Sequence, residues 1–391
     1  MKTGTILMIA LGLATVGTGC KKKDKDEAAG GGAMTKPNEG SGSAVATPEP
    51  VKPTPKTGKD LADAYVACMG HVNEGKLDDF KTNCLSTDFV SRQADMPGEH
   101  KLEDVMGWFQ GMRASFPDWK LEPQLVMVNG RNVLSVVLMT GTHQAPLKMP
   151  GAPEIPATSK KVGLLFFHRL AINDENKATE EWVYHDPTTM MGQLGLMPKE
   201  APPVRPAMET GIEGAPVILV TADDEKEQAN LALAKKSDET FNSHKVADVM
   251  AMWADDAVES DQAGGMDHKG KKEIEKGMQT FFKAFSDVKV ETAHSFAAGD
   301  YVVALGTFSG TNDGPLGPMK KTGKQVTGSY AEIYKIADGK ITELWRFRNG
   351  MAMAVQLGLM PDPMQAGEPG GEPAMDDKKM DKKAAPMKKG T

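Results

Sequence analysis

The sequence predicts an α+β chain in which one domain occurs twice. The string Gln-Leu-Gly-Leu-Met-Pro stands at Gln193–Pro198 and again at Gln356–Pro361, and self-similarity at a long fixed spacing marks a repeated unit. Each copy closes a stretch that opens on helical periodicity and continues in strand-like runs. Helices followed by a meander of strands give α+β rather than a parallel α/β sheet. The length of 391 residues suits about two to three domains. A hydrophobic content of 40% is enough for real cores, while 41 Gly and 25 Pro point to long unstructured connections. The net charge is −7 and no basic domain stands out, which argues against nucleic acid as a partner.

In the first unit, 58–198, a helix is predicted over Asp60–Asn73, with a turn at Glu74-Gly75 and a short helix from Leu77. Leu102, Val105, Met106, Phe109 and Met112 recur at three and four, the spacing of one helical face. Phe116-Pro117-Asp118 stops that helix, since proline cannot continue it. Strands are expected at Leu121–Val128 and Val133–Thr142, joined at Asn129-Gly130, a strong hairpin signal. After a proline-rich loop come Lys161–Ile172 and Glu180–His185. The second unit, 225–361, repeats the order. Leu231, Ala234 and Phe241 form the first stripe, with Asn242 matching Asn73, and Ile274, Met278, Phe281 and Phe285 form the third helix. Tyr301–Phe308, Gln325–Ile336 and Lys340–Phe347 read as strands, with a tight turn at Asp338-Gly339.

Outside these units the chain reads as leader, tether, linker and tail. Residues 1–20 carry Lys2, the apolar run Ile6–Val16 and small residues before Cys20. That run is too short to span a bilayer, which needs roughly twenty residues. The segment resembles the lipobox of bacterial lipoproteins, although Gly17 stands where Leu is usual. The resemblance implies lipidation of Cys20 and anchoring in the cell envelope, with an ordinary secretory signal as the alternative. By the same resemblance, Lys21 after the cysteine points to the outer membrane, facing the periplasm. Residues 21–57 and 362–391 lack core-forming residues and read as disordered tether and tail. Residues 199–224 read as a linker whose only apolar run is Val217–Val220. Cys68 and Cys84 both fall on core-facing stripes, so a disulfide and two buried thiols explain them equally well.

An ordered set of motifs now carries a family resemblance. The first unit has Phe116-Pro117-Asp118-Trp119, Gly141-Thr142-His143, Pro156–Val162, His168-Arg169-Leu170, Glu181-Trp182 with Asp186, and Gln193-Leu194-Gly195-Leu196. The second keeps Gly306-Thr307, Thr322-Gly323-Lys324, Asp338–Ile341, Glu343 with Trp345, and Gln356-Leu357-Gly358-Leu359. Together they resemble the SnoaL-like polyketide cyclase (ester cyclase) family of the nuclear transport factor 2-like superfamily. The resemblance implies two tandem cone-shaped α+β barrels. Each would have three N-terminal helices packed on a curved, mostly antiparallel sheet around an apolar pocket. It also implies no cofactor, and no His/Cys/Asp cluster with metal-ligand spacing is seen.

Cyclases of this family remove a proton α to a carbonyl, which needs a carboxylate in an apolar pocket and donors for the enolate. By resemblance Asp186 would be the base, with His168 and His143 as donors or shuttles. Alternation puts Asp186 on one face with Trp182 and Tyr184, two candidate ligand contacts. The competing readings are plain: Asp186 before Pro187 and Thr188 as a helix cap, His168 as a satisfied core histidine, and His143 as a strand end. In the second unit Phe308, Glu332 and Asn349 are taken as the counterparts of His143, His168 and Asp186. Asn349 cannot act as a base. Tyr330, Glu332, Tyr334 and Trp345 are therefore expected to bind an anion or polar ligand, with Glu332 paired to Arg346 or Arg348. Those two arginines are expected on alternate faces of one strand. The function expected is a membrane-anchored periplasmic lipoprotein that holds a small apolar or carbonyl-containing ligand, or a partner, without turnover. The alternative is a cofactor-independent cyclase- or hydrolase-like enzyme working through the first unit. The two copies are also candidates for an intramolecular pseudo-dimer.

Overall fold

The computed structural model describes residues 53–148, 154–198, 203–265 and 267–360. The leader with Cys20, the tether up to residue 52 and the tail 362–391 lie outside the described residues. Domain 1 runs α1 (Gly58–Asn73), α2 (Leu77–Cys84), β1 (Leu85–Gln93), β2 (His100–Lys101), α3 (Leu102–Ser115), β3 (Lys120–Asn129), β4 (Asn132–Thr142), β5 (Lys161–Ile172), β6 (Ala178–Tyr184) and α4 (Pro187–Gln193). A short strand β7 (Val217–Val220) follows. Domain 2 repeats the plan as α5 (Glu225–Phe241), α6 (Val246–Met250), β8 (Trp253–Asp261), β9 (His268–Lys269), α7 (Lys271–Ala284), β10 (Lys289–Ala298), β11 (Tyr301–Thr311), β12 (Gln325–Ala337), β13 (Lys340–Arg348) and α8 (Gly350–Gln356).

The sheet orders are β2-β1-β6-β5-β4-β3-β7 and β10-β11-β12-β13-β8-β9. All pairings are antiparallel except β1 with β6, β3 with β7 and β8 with β13. Each sheet is open and forms an α+β cone with its helices. The strands β1, β8 and β10 escape a reading by periodicity, because charged residues interrupt them and they alternate only weakly. The Val217–Val220 run belongs to the sheet of domain 1, where it pairs with Leu125–Val128 instead of spanning open linker.

Helix α1 buries Leu61, Tyr65, Met69 and Val72 on one stripe. Its end is fastened to the sheet by Asn73, whose amide donates to Leu121 O at 2.8 Å and accepts from Leu121 N at 2.7 Å. Asn242 makes the same pair of bonds to Val290 at the end of α5. Cys68 and Cys84 are joined as a disulfide that ties α1 to α2, which decides the question their spacing left open.

The central strands are apolar on both faces because both faces are covered. In β4, Val133, Val137 and Met139 face the helices, whereas Leu134, Val136 and Leu138 face the other domain. These last residues share one core with Leu165, Phe167, Val303, Ile333 and Phe347, so the outer faces of the two sheets pack on each other. Polar contacts frame that core. The Asp95 carboxylate accepts from Ser329 N at 2.8 Å, and Arg205 is paired to Asp267 at 2.8 Å.

Candidate functional site

Domain 1 encloses a cavity of about 150 Å³ between its helices and sheet. Helices α1, α2 and α3 supply apolar walls such as Leu61, Met69, Phe80 and Phe109. The polar side comes from neighbouring strands, because register places Ser91 beside both Glu181 and His100, and His168 beside Val183. Across this wall runs a chain of three side chains. Glu181 meets His168 Nδ1 at 2.6 Å, and His168 Nε2 meets the Tyr65 hydroxyl at 2.7 Å. A carboxylate only accepts, so Nδ1 carries the imidazole proton and Nε2 accepts from Tyr65. The other Glu181 oxygen accepts from Ser91 Oγ at 2.8 Å. Burial lifts the Tyr65 hydroxyl well above the ordinary phenol range. His185, on the same wall, is pushed down to about 4 by burial. Two lining groups have buried polar atoms without partners: the Trp108 indole N–H and Gln93 Oε1.

Asp186, His168 and His143 do not converge. Asp186 is 3% exposed and lies outside the cavity wall as the N-cap of α4, accepting from Thr188 and Thr189. Its Oδ1 also accepts from Gly350 N at 3.1 Å, the first residue of α8 in the other domain. Burial raises its pKa, against the opposing pull of those threonine bonds, and it is not among the residues that line the domain 1 cavity. The physical reason is that the strand ends at Tyr184, so alternation no longer governs where residue 186 points.

His143 is fully buried, stacked on Phe116 at 5.0 Å, and anchors the loop before β5 through Thr158 at 3.1 Å. Its counterpart is Asn312 rather than Phe308. Asp118 accepts from Thr142 just as Asp287 accepts from Thr311, and Asn312 Oδ1 accepts from Thr322 N as His143 Nδ1 accepts from Thr158 N. Both residues hold a loop.

Trp182 and Tyr184 are also displaced from the expected pocket. They point to the outer face, where Tyr184 joins the core between domains and Trp182 lies under the Arg92 guanidinium. Because His168 is opposite Val183, the odd-numbered residues of β6 share its face. Glu181 was visible beside Trp182 in the sequence, and that pairing parity was the signal that would have singled it out. Tyr65 gave none, since a helical tyrosine on an apolar stripe reads as core.

Domain 2 has a larger cavity, about 650 Å³, and a charged one. Tyr330, Glu332 and Tyr334 line it as alternation requires. Trp345 does not: it stacks on Tyr301 at 6.3 Å against the core between the domains. Arg346 and Arg348 both line the cavity. Residues two apart on a strand share a face, so the expectation of alternate faces miscounted the period. Arg346 bridges Glu332 at 2.6 Å and Glu259 at 2.9 Å, and Arg348 holds Asp261 at 2.7 Å. Glu259 also accepts from His268 at 2.9 Å. That bond raises the His268 pKa, while Arg346 and His268 outweigh burial and keep Glu259 low. Among the described residues no group of three or more His, Cys, Asp or Glu is arranged to hold a metal ion.

Of solved structures, AclR of Streptomyces galilaeus is similar at 25% identity, over 35% of this chain and 85% of its own, with a TM-score of 0.32. TsrD of Streptomyces laurentii is similar at 18% identity, over 35% of this chain and 100% of its own, with a TM-score of 0.32. No curated protein matches the chain. The family model for SnoaL-like polyketide cyclase matches residues 59–194 and again 232–357. The chain therefore belongs to the SnoaL-like polyketide cyclase family and carries its domain twice in tandem.

Proposed function

We propose that the protein holds ligands in the cell envelope without turning them over, and that domain 1 takes a small, mainly apolar molecule bearing one carbonyl or hydroxyl group. One observation carries this: the Glu181–His168–Tyr65 chain in the cavity wall is closed on itself. Both ring nitrogens of His168 and both oxygens of Glu181 have partners inside the wall. The fully buried lining atoms left without partners are a neutral donor, the Trp108 N–H, and a neutral acceptor, Gln93 Oε1, and the imidazoles of His100 and His185 line the same cavity. Buried unpaired groups of that kind are what a polar handle on an apolar ligand satisfies. A cavity of about 150 Å³ suits a molecule the size of benzene.

Cyclohexanone and phenol are suitable probes. Titration calorimetry on the full chain is expected to show both binding more tightly than cyclohexane. Equal affinity for cyclohexane would remove the role assigned to the unpaired groups. A second reading has its own support, the short Glu181–His168 contact, which is how an acid–base catalyst is oriented. It is decided by α-proton exchange of cyclohexanone in D2O. Exchange accelerated by the protein and abolished by Glu181→Gln would establish enolisation and overturn binding without turnover.

The anchor rests on the sequence of residues 1–20. The Cys68–Cys84 disulfide supports an oxidising compartment such as the periplasm. Labelled fatty acid is expected on the protein and absent from Cys20→Ala. The shared core between the outer faces of the two sheets supports reading the copies as an internal pseudo-dimer.

A further inference from the structure

We propose that the cavity of domain 2 is a site for a small organic cation, an ammonium group carried on an apolar body. The reading rests on how charge is distributed around it. Six carboxylates line the cavity, namely Asp238 on α5, Glu259 and Asp261 on β8, Asp267 before β9, Glu273 on α7 and Glu332 on β12, against Arg346, Arg348, His268 and an exposed Lys276. Arg346 is shared between Glu332 and Glu259, and Arg348 is held by Asp261. Both arginines are therefore neutralised inside the wall, which disfavours an anionic ligand. Asp238 makes no salt bridge among the described residues. It is held only by neutral hydroxyls, Thr292 Oγ1 and, at 3.2 Å, Tyr334 OH.

Asp238 and Glu332 converge on that one tyrosine, whose single hydroxyl proton serves the closer carboxylate, Glu332 Oε2 at 2.5 Å. Two carboxylates crowded into a partly buried site repel, and burial with Glu332 as neighbour lifts Asp238 to about 7. A ligand ammonium would relieve that repulsion, and a second anion would increase it. The apolar part of the lining includes the aromatic rings of Phe241, Phe281, Phe308 and Tyr330 beside aliphatic residues such as Val249 and Leu344, surroundings that suit a cation on a carbon body. An independent mark of a missing partner is Trp253. It is 3% exposed, lines the same cavity, and its indole N–H has no acceptor. An oxygen on the ligand would satisfy it.

Domain 1 serves as the control within the same chain. Asn73 and Asn242 end the first helix of each domain in the same way, so Asp238 stands where domain 1 has Met69, four residues earlier. The equivalent of Trp108 on the third helix is Gly277, against which the His268 imidazole packs in place of an indole. One cavity is small with a single carboxylate, Glu181, in its wall, and the other is larger and lined by six.

The test is calorimetry on the full chain at pH 8 with benzylamine, benzyl alcohol and benzoate. Benzylamine is expected to bind at least tenfold more tightly than the other two. Asp238→Asn should weaken benzylamine at least tenfold and leave cyclohexanone binding in domain 1 unchanged. Benzoate or benzyl alcohol binding as tightly as benzylamine would overturn the proposal, and so would an unchanged benzylamine affinity in Asp238→Asn. The comparison of the three probes on the unsubstituted chain decides the matter even if the variant does not fold.

Discussion

The two domains share a frame and differ in what they enclose. The hydrogen-bonded clips that set the frame recur in both domains. Asn73 and Asn242 fasten the first helix to the sheet, and Asp118–Thr142 and Asp287–Thr311 fix the start of the first long strand. The Gln193 and Gln356 amides bridge the backbone of Gly163 and Thr327. Trp182 and Trp345 occupy the same place on the outer faces. The cavity walls, by contrast, agree almost nowhere: His168 is opposite Val183 in one domain, and Glu332 is opposite Arg346 in the other. Hydrogen bonds that close backbone are costly to lose, whereas a cavity wall can change residue by residue if its charges stay paired.

The Asp186/Asn349 difference, which in the sequence looks like chemistry lost from one copy, belongs to the frame. Asp186 accepts from Gly350 N, and Asn349 Nδ2 donates to Ala94 O at 3.4 Å, so the two caps reach into opposite domains. Asn349 still caps its own helix through Ala352 N. Two buried aspartates beside each other would repel; one aspartate and one asparagine do not.

This comparison can be broken in several ways. The largest effect is expected at the disulfide, which occurs only in domain 1. Cys68→Ser with Cys84→Ser releases a loop with a sequence separation of 16, which by loop-closure entropy costs about 3 kcal/mol. Calorimetry should show the domain 1 transition lowered and that of domain 2 in place; a uniform loss would mean the domains unfold as one unit. Asp186→Ala should cost about 2–3 kcal/mol, since it leaves the α4 cap and Gly350 N unsatisfied. Asp186→Asn should cost less and leave cyclohexanone affinity within about twofold. A selective loss of binding or turnover in Asp186→Asn would return Asp186 to the site.

The pH responses should have opposite signs. His185 is held at about 4 by burial, below the 6.5 of an unperturbed histidine. The folded state binds fewer protons in that window, so this contribution is intact above pH 6.5 and lost as pH falls towards 4. Asp238 is raised from 3.8 to about 7, so its contribution is full below pH 3.8 and lost as pH rises through 7. Melting curves should therefore show His185→Gln gaining on the parent at pH 5, and Asp238→Asn gaining at pH 8. The His185 gain should be about 2 kcal/mol, and the Asp238 gain, from the wider shift, should exceed it. The smallest effect expected is at the repeated motif. Gln193→Ala loses three backbone bonds and Gln356→Ala two, so unfolding free energies should fall by about 1 kcal/mol or more, the first beyond the second.

Much of the frame was legible because it is written locally. The Asn–Gly hairpin, the three-and-four spacing of the third helix and the repeated Gln-Leu-Gly-Leu-Met-Pro each have a short-range cause. The site was not legible in the same way, since it depends on pairing register. His168 was found, but its partner lies on the odd-numbered face of β6, and Trp182 and Tyr184 went to the interface instead. Asp186 shows the limit of counting along a strand past its end. Tyr65 and Asp238 sit on helices, and only the closure of helix on sheet brings them to His168 and Glu332.

The most direct test of two pockets with different chemistry is a paired titration followed by NMR on the full chain. Cyclohexanone should shift only domain 1 signals, Trp108 Nε1–H foremost, and benzylamine only domain 2 signals around Asp238 and Trp253. Saturation with one should leave the affinity for the other unchanged. Mutual displacement, or both probes shifting one domain, would contradict the account.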